Sequence, residues 1–160
     1  MIRRTGPSVP MGVDMRVEER AARPTAVVRR RTTWDRFPSE WGAMLDAVYE
    51  QVRAGAVEQD GHNVMLYRDL ADGRLDVEVG VAVAGPFPPA GSVEPSELPG
   101  GTVAVAVHRG AYARLGDTHG ALGRWCAQRG LALAGPRWEI YGDWHEDESA
   151  LETEVVYLLG

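Results

Sequence analysis

Two stretches of this sequence repeat one pattern and differ at a position that could do chemistry. Residues 61–69 and 135–143 both read G-x5-Y-x-D, and the first has apolar Met65 where the second has ionisable Glu139. A carboxylate inside an apolar and aromatic strand is costly unless it has a partner. A bound cation is one possible partner, so Glu139 is the first candidate for a functional residue.

The alternation of side chains along a strand assigns Glu139 to one face of its sheet. Trp138, Ile140 and Trp144 point one way, and we assign them to the face that packs against helices. Glu139 and Tyr141 then lie together on the opposite face.

The repeat adds two further residues to that face, because Met65 and Tyr67 hold the corresponding positions in the first copy. Aromatic rings attract cations by roughly 0.5–2 kcal/mol each when desolvated. The set therefore predicts a site for a large, flat, positively charged organic molecule. In the alternative interpretation the face is half exposed, Glu139 is solvated, and Tyr67 and Tyr141 are ordinary cross-strand partners.

The first repeat is predicted to have the order strand, helix, strand, strand. A strand lies within residues 13–33, and a helix with Ser39 as its N-cap ends near Gly55. Strands at 62–68 and 75–84 complete the unit, the second of them with alternating valines.

The second repeat is predicted to have the same strand-helix-strand-strand (SHS2) order. A strand at 102–108 precedes a helix over 111–128, for which Gly130 provides the C-cap. Strands at 136–144 and 153–159 follow. Two such units form an α+β architecture, with a mainly antiparallel sheet and both helices on one face.

The predicted domain organisation is simple. Residues 1–11 form a flexible tail, and residues 12–160 form one domain. Its first repeat occupies about 12–84, a Pro/Gly-rich loop over 85–101 links the repeats, and the second repeat occupies 102–160.

Composition narrows the classes of partner. The net charge of −6 argues against nonspecific nucleic-acid binding, which needs a basic surface. No apolar run approaches the roughly 18 residues of a membrane span, and no secretory signal follows the N-terminus. These features predict a cytoplasmic protein that binds neither nucleic acid nor membrane. Cys126 stands alone, which excludes an internal disulfide and a Cys-rich zinc site.

The histidines give weaker signals. Residues 145–148 (His-Glu-Asp-Glu) are interpreted as a solvated turn, since consecutive ligands rarely converge on one ion. His108 and His119 could face the groove, but the favoured interpretation is that both are structural histidines. Cys126 is interpreted as a core residue. No metal or other cofactor is therefore expected.

Five segments together resemble one family. The sequence is similar to the GyrI-like small-molecule-binding domains, which also form the effector-binding half of MerR- and AraC-type multidrug regulators. The resemblance covers residues 11–159 and rests on the order of segments 77–83, 110–115, 125–130, 139–141 and 153–159.

The resemblance implies that the two repeats form a groove, in which a carboxylate matching Glu139 meets cationic, aromatic drugs. Tyr112 and Tyr141 match positions that line the groove, whereas Tyr67 and Met65 come from the repeat. Because no DNA-binding segment is apparent, the resemblance is to a free-standing member. The expected function is binding of lipophilic, aromatic, often cationic small molecules, in sequestration, sensing or drug resistance.

Two alternatives stay open. Some free-standing relatives resemble hydrolases of cyclopropane-bearing compounds, and burial would then raise the pKa of Glu139 into the range useful for acid–base catalysis. Other family members bind a topoisomerase, and the acidic tract 143–154 could mimic DNA charge toward such a protein.

Overall fold

A computed structural model describes residues 14–160; the predicted tail at 1–11 lies outside them. The described residues form one eight-stranded antiparallel sheet with the order β1-β6-β8-β7-β3-β4-β2-β5. The strands are β1 (Asp14–Arg20), β2 (Arg23–Thr32), β3 (Gln59–Asp69), β4 (Leu75–Val83), β5 (Glu94–Leu98), β6 (Gly101–Arg109), β7 (Leu133–Tyr141) and β8 (Glu152–Leu159). The helices are α1 (Trp41–Arg53) and α2 (Leu115–Gln128).

The strand-helix-strand-strand order occurs twice, as β2-α1-β3-β4 and β6-α2-β7-β8. The predicted α+β fold is thereby confirmed. The prediction of a loop over 85–101 was wrong in part, because Glu94–Leu98 forms β5 and pairs with β2. Pro95 is compatible with this strand because β5 lies at the edge of the sheet, where a missing backbone donor is tolerated.

The two edges of the sheet are joined by bent strands. Arg20 of β1 pairs with Gly101 of β6, and Arg23 of β2 pairs with Leu98 of β5 in the same register. Strands β1 and β2 therefore continue one ladder with β5 and β6 across a two-residue bend. A Cβ at Gly100 would lie 2.6 Å from the backbone nitrogen of Ala22, so the close approach of the strands at this bend requires glycine.

Both helices pack on the same face of the sheet, as predicted. On α1, Met44 and Val48 are buried in a cluster with Val79 of β4. On α2, Leu122 is buried in a second cluster with Ala104 of β6. Tyr141 contacts both clusters, which places β7 beneath the space between the helices.

The predicted assignment of the two faces was wrong. Trp138 and Ile140 lie in an apolar cluster that contains no helical residue, whereas Glu139 and Tyr141 lie on the helix-bearing face. The helix-free face is nevertheless buried, because strands distant in the sheet order meet over it: Leu98 of β5 packs there with residues of β3, β6 and β8. Trp144 follows the end of β7 and is 72% exposed, so it is not a core residue either.

The helix ends were predicted better than the helix starts. Gly55 and Gly130 follow the helices with φ of 82° and 67°, the left-handed conformation expected for glycine there. Ser39 is not the N-cap of α1, because it lies in a short 3-10 turn and its hydroxyl donates to the carbonyl of Arg36. Helix α2 begins at Leu115, after a 3-10 turn at Tyr112–Arg114. Within residues 14–160, no helix combines the length and the apolarity needed to cross a membrane.

Candidate functional site

A cavity of about 840 Å³ lies on the helix-bearing face, with β3 and β7 as its floor. Helix α1 and the 3-10 turn before it form one wall, and the start of α2 contributes to the other. Aromatic side chains dominate the lining. Its residues are Trp34, Phe37, Pro38, Trp41, Leu45, Tyr49, Gln59, Gly61, His62, Asn63, Met65, Tyr67, Tyr112, Leu115, Glu139, Tyr141, Gly142, Asp143 and Trp144.

Glu139 lies in the cavity floor and is only 6% exposed. Its Oε1 atom accepts hydrogen bonds from the hydroxyls of Tyr67 (2.7 Å) and Tyr141 (2.6 Å). Its Oε2 atom lies 2.7 Å from Nε2 of His119, which projects from α2. The buried carboxylate is therefore held by three donors from three different elements, which offsets the cost of removing it from water.

The electrostatic balance favours the ionised form of Glu139. Burial acts to raise the pKa of the carboxyl, but the hydrogen bond and charge of His119 and the hydroxyls of Tyr141 and Tyr67 outweigh it, so the pKa is lowered. Burial and the neighbouring Glu139 charge raise the pKa of both tyrosines well above the usual range, which keeps them as donors. The sequence-based expectation that burial would raise the pKa of Glu139 is contradicted.

His119 has a second polar partner behind the carboxylate. Its Nδ1 atom lies 2.9 Å from the hydroxyl oxygen of Tyr157 on β8, and that hydroxyl donates to the backbone carbonyl of His119 at 3.1 Å. Burial is the main reason that the pKa of Tyr157 is raised to about 12. Neither His119 nor Tyr157 belongs to the cavity lining. The pair acts on the cavity only through Glu139.

All five residues predicted to bind a ligand line this one cavity: Glu139, Tyr141, Tyr112, Tyr67 and Met65. Tyr112 stands at the rim, 38% exposed, with its ring edge-on to that of Tyr141 at a centroid distance of 5.6 Å. Contact of these five residues with a ligand stays a prediction. The cavity itself was predicted on the wrong face of the sheet, for the reason given above.

Sequence reasoning missed His119 as a partner of Glu139. A signal for it exists in the repeat: His119 stands 74 positions after Leu45, the same offset that separates Glu139 from Met65. The second repeat thus has a polar pair where the first has an apolar one. His108 is the structural histidine that was predicted, since it contacts the Thr118 hydroxyl at 2.6 Å and the carbonyl of Ala111 at 2.9 Å.

Sequence reasoning also missed the tryptophans at the rim of the cavity. Trp34, Trp41 and Trp144 line the cavity and are 53%, 41% and 72% exposed. Large exposed aromatic side chains around one opening are unusual for a protein surface and typical of a binding site. Trp34 lies before α1 and Trp144 after β7, where no periodic pattern predicts a shared location. Trp41 is the first residue of α1, where the apolar periodicity of the helix predicts a core position.

The acidic tract lies apart from the floor of the cavity. Residues 145–148 are exposed, and the carboxylate of Asp147 accepts from the backbone of Ser149 to form a local turn. In the part of the chain that the structure describes, no group of three or more metal-ligating side chains comes together.

Comparison with known proteins gives the class of this domain. A family model described as "GyrI-like small molecule binding domain" matches residues 14–158. The chain therefore belongs to the GyrI-like family of small-molecule-binding domains. No curated protein matches its sequence.

Solved structures share the fold at low sequence identity. The C-terminal domain of EcmrR superposes with a TM-score of 0.79 at 19% identity, over 94% of this chain and 99% of that one. A structure of SAV2435 bound to tetraphenylphosphonium matches with a TM-score of 0.68 at 12% identity, over 92% and 94% of the two chains. A hydrolase from Listeria innocua matches with a TM-score of 0.55 at 11% identity, over 91% of each chain.

Proposed function

We propose that this protein binds lipophilic, aromatic cations in the cavity above Glu139, and thereby sequesters or senses them. The observation that carries the proposal is a buried, ionised carboxylate in the floor of a cavity lined mainly by aromatic rings. SAV2435, which shares the fold, has been solved with tetraphenylphosphonium, an aromatic cation. That likeness supports the ligand class without determining it.

The hydrogen bonds of Glu139 indicate which cations suit the site. Tyr67, Tyr141 and His119 already donate to the carboxylate, so a ligand gains little from a further hydrogen bond. A cation whose charge is shielded by carbon groups needs no such bond. It interacts with the carboxylate through charge alone and with the rings of the wall through stacking and cation–π contacts.

A matched pair of ligands tests the proposal. Methyltriphenylphosphonium is a permanent cation, and triphenylphosphine oxide has nearly the same shape without net charge. We expect the cation to bind about tenfold to a hundredfold more tightly, since interactions with a charged group contribute about 1.5–3 kcal/mol. Isothermal titration calorimetry at fixed salt and at pH 8 measures both affinities.

Glu139→Gln should remove most of this preference while leaving the affinity for the neutral ligand unchanged. Glu146→Gln is the matched control, because it removes the same charge from an exposed residue outside the lining. If both ligands bind the unmodified protein equally, or if the preference survives Glu139→Gln, the proposal is wrong.

Hydrolysis of a reactive small molecule is the second candidate. The observation that favours it is a chain of hydrogen bonds through Glu139. His119 contacts one carboxylate oxygen, and the hydroxyls of Tyr67 and Tyr141 both donate to the other. Such a chain can move a proton between the histidine and a group in the cavity. Incubation with strained-ring and ester substrates separates the candidates: product in excess of protein indicates an enzyme, whereas stoichiometric binding without product indicates a binding protein.

A further inference from the structure

The hydrogen bonds around His119 accommodate its ring in two protonation states. Nε2 faces the Glu139 carboxylate, which only accepts, so Nε2 donates in both. The Tyr157 hydroxyl lies 3.1 Å from the carbonyl of His119 and 2.9 Å from Nδ1. When this hydroxyl donates to the carbonyl, its oxygen accepts from a protonated Nδ1 and the ring is an imidazolium. When it donates to Nδ1 instead, the ring is neutral.

When His119 is protonated, the carboxylate of Glu139 already has a cation of its own. The two charges then compensate each other, and the net attraction for a second cation in the cavity is small. When His119 is neutral, the same carboxylate presents a full uncompensated charge to the cavity. The protonation of His119 therefore determines how strongly the site discriminates by ligand charge.

We propose that His119 is a specificity-determining residue that competes with a cationic ligand for Glu139, so that binding of the cation releases a proton from His119. This inference rests on the proposed function above and adds to it the coupling between ligand charge and pH.

The network allows this release without a change in fold. After Nδ1 loses its proton it becomes an acceptor, and the Tyr157 hydroxyl turns its hydrogen from the His119 carbonyl to that nitrogen. Nε2 keeps its proton and its bond to Glu139. The proton passes from Nδ1 to solvent, which the side chain reaches because 23% of it is exposed.

The other charged and titratable groups near His119 do not supply this proton. Arg137, two residues before Glu139 on β7, donates to Asp69 at 2.8 Å, and a guanidinium does not give up a proton in proteins. Burial raises the pKa of the buried thiol of Cys126 on α2. The phenols that face the network from β3, β7 and β8 have raised pKa values as well: Tyr67, Tyr141 and Tyr157.

His62 is the competing explanation for any histidine-dependent effect at this cavity. It lines the mouth, and its Nε2 atom contacts Asp143 at 2.9 Å on the surface. A cation bound near the mouth would act on His62 instead of His119. The experiment must therefore separate the two histidines.

Calorimetry with methyltriphenylphosphonium tests the inference, since this ligand has no titratable group and every proton released comes from the protein. Titration at pH 6 in two buffers of different ionisation enthalpy counts the protons. We expect protons to be released as the ligand binds, up to one per ligand. The affinity should rise by about tenfold between pH 5 and 8, the range in which histidines titrate. Triphenylphosphine oxide should show neither effect.

His119→Gln keeps a donor for Glu139 but cannot titrate. We expect it to release no proton and to bind the cation at every pH about as tightly as the unmodified protein does at pH 8. Glu139→Gln should also abolish the release, because no carboxylate then retains the histidine proton. His145→Gln, an exposed histidine outside the lining, is the control and should leave the proton count unchanged.

Three results would overturn the inference. Cation binding without proton release contradicts it while leaving the proposed function intact. If His62→Gln loses the pH dependence and His119→Gln keeps it, the released proton comes from His62 and the inference is wrong. Absence of binding at any pH removes the proposed function and this inference together.

Discussion

Met65 and Glu139 lie directly opposite each other where β3 pairs with β7, and they occupy the same position in the two repeats. Adjacent antiparallel strands are related by a local twofold axis, so the position that meets its own copy lies on that axis. The two repeats thus differ at the centre of the cavity floor. One copy contributes a thioether and the other a carboxylate, and this difference gives the site its charge.

Met65→Glu makes the two repeats identical at this position and should destabilise the protein. Two carboxylates opposite each other in a buried floor cannot both ionise at low cost, and an uncompensated buried charge costs about 3–5 kcal/mol. The pKa of one of the two is raised in the folded state, so the loss should be largest at pH 7 and shrink as the pH falls toward 4.5. Urea unfolding at both pH values measures it.

The control for this substitution is Met65→Gln, which has a similar volume and no charge. The Met65→Gln protein should be less stable than the unmodified protein by a similar amount at both pH values. A Met65→Glu protein as stable at pH 7 as Met65→Gln would show that water reaches the floor and solvates the second carboxylate.

Side-chain alternation predicted which residues share a face but not which face bears the helices. Glu139, Tyr141, Met65 and Tyr67 do lie together, because a strand fixes that grouping by itself. Both faces of this sheet are apolar, however, and the curvature that buries Trp138 without any helix depends on pairing between distant strands. That pairing is not a local property, so it could not be predicted from the pattern of residues along one strand.

The repeat carried the most predictive information about the site. It identified Glu139 by comparison with Met65, and applied to the helices it also relates His119 to Leu45. The three rim tryptophans could not be predicted this way. Trp34 and Trp144 lie in connections where neither periodicity nor the repeat applies, and the apolar periodicity of α1 predicts a core position for Trp41.

Tyr141→Phe should lower stability and flatten its dependence on pH. The folded-state pKa of Glu139 is below its ordinary value of 4.5, so its ionisation stabilises the protein above about pH 4.5 and this contribution is lost as the pH falls through the folded-state value. Removing one donor to the carboxylate should cost about 1.5–3 kcal/mol at pH 7 and less in acid. Unfolding free energies from pH 3 to 7 give the slope.

Tyr49→Phe is the control for that slope. Tyr49 also lines the cavity, but its hydroxyl donates to the neutral amide oxygen of Asn63. Its removal should lower stability by a similar amount at every pH. If both variants keep the slope of the unmodified protein, Glu139 does not determine the acid response.

Thr118→Val tests the structural role of His108. The two side chains are 1% and 4% exposed, and the threonine hydroxyl is the partner of His108 Nδ1 at 2.6 Å. An isosteric valine leaves that nitrogen buried without a partner, which should cost about 1–3 kcal/mol in chemical unfolding. Thr102→Val, whose hydroxyl contacts exposed Glu19, should change stability by less than about 0.5 kcal/mol. Equal effects of the two substitutions would contradict the role assigned to His108.

Trp144→Ala should separate ligand binding from folding. The indole is 72% exposed and follows the end of β7, so its removal should leave the unfolding free energy within about 0.5 kcal/mol. Because Trp144 lines the cavity mouth, the same change should weaken both methyltriphenylphosphonium and triphenylphosphine oxide by about fivefold or more, as expected for an aromatic contact residue. The affinity for the cation should fall slightly more, since the cation also loses a cation–π contact.

Leu133→Ala is the control for this substitution. Leu133 is 52% exposed and lies outside the cavity lining, so its removal should leave the affinity for both ligands unchanged. Unchanged affinity of Trp144→Ala for both ligands would show that they bind on the floor without contact to the rim.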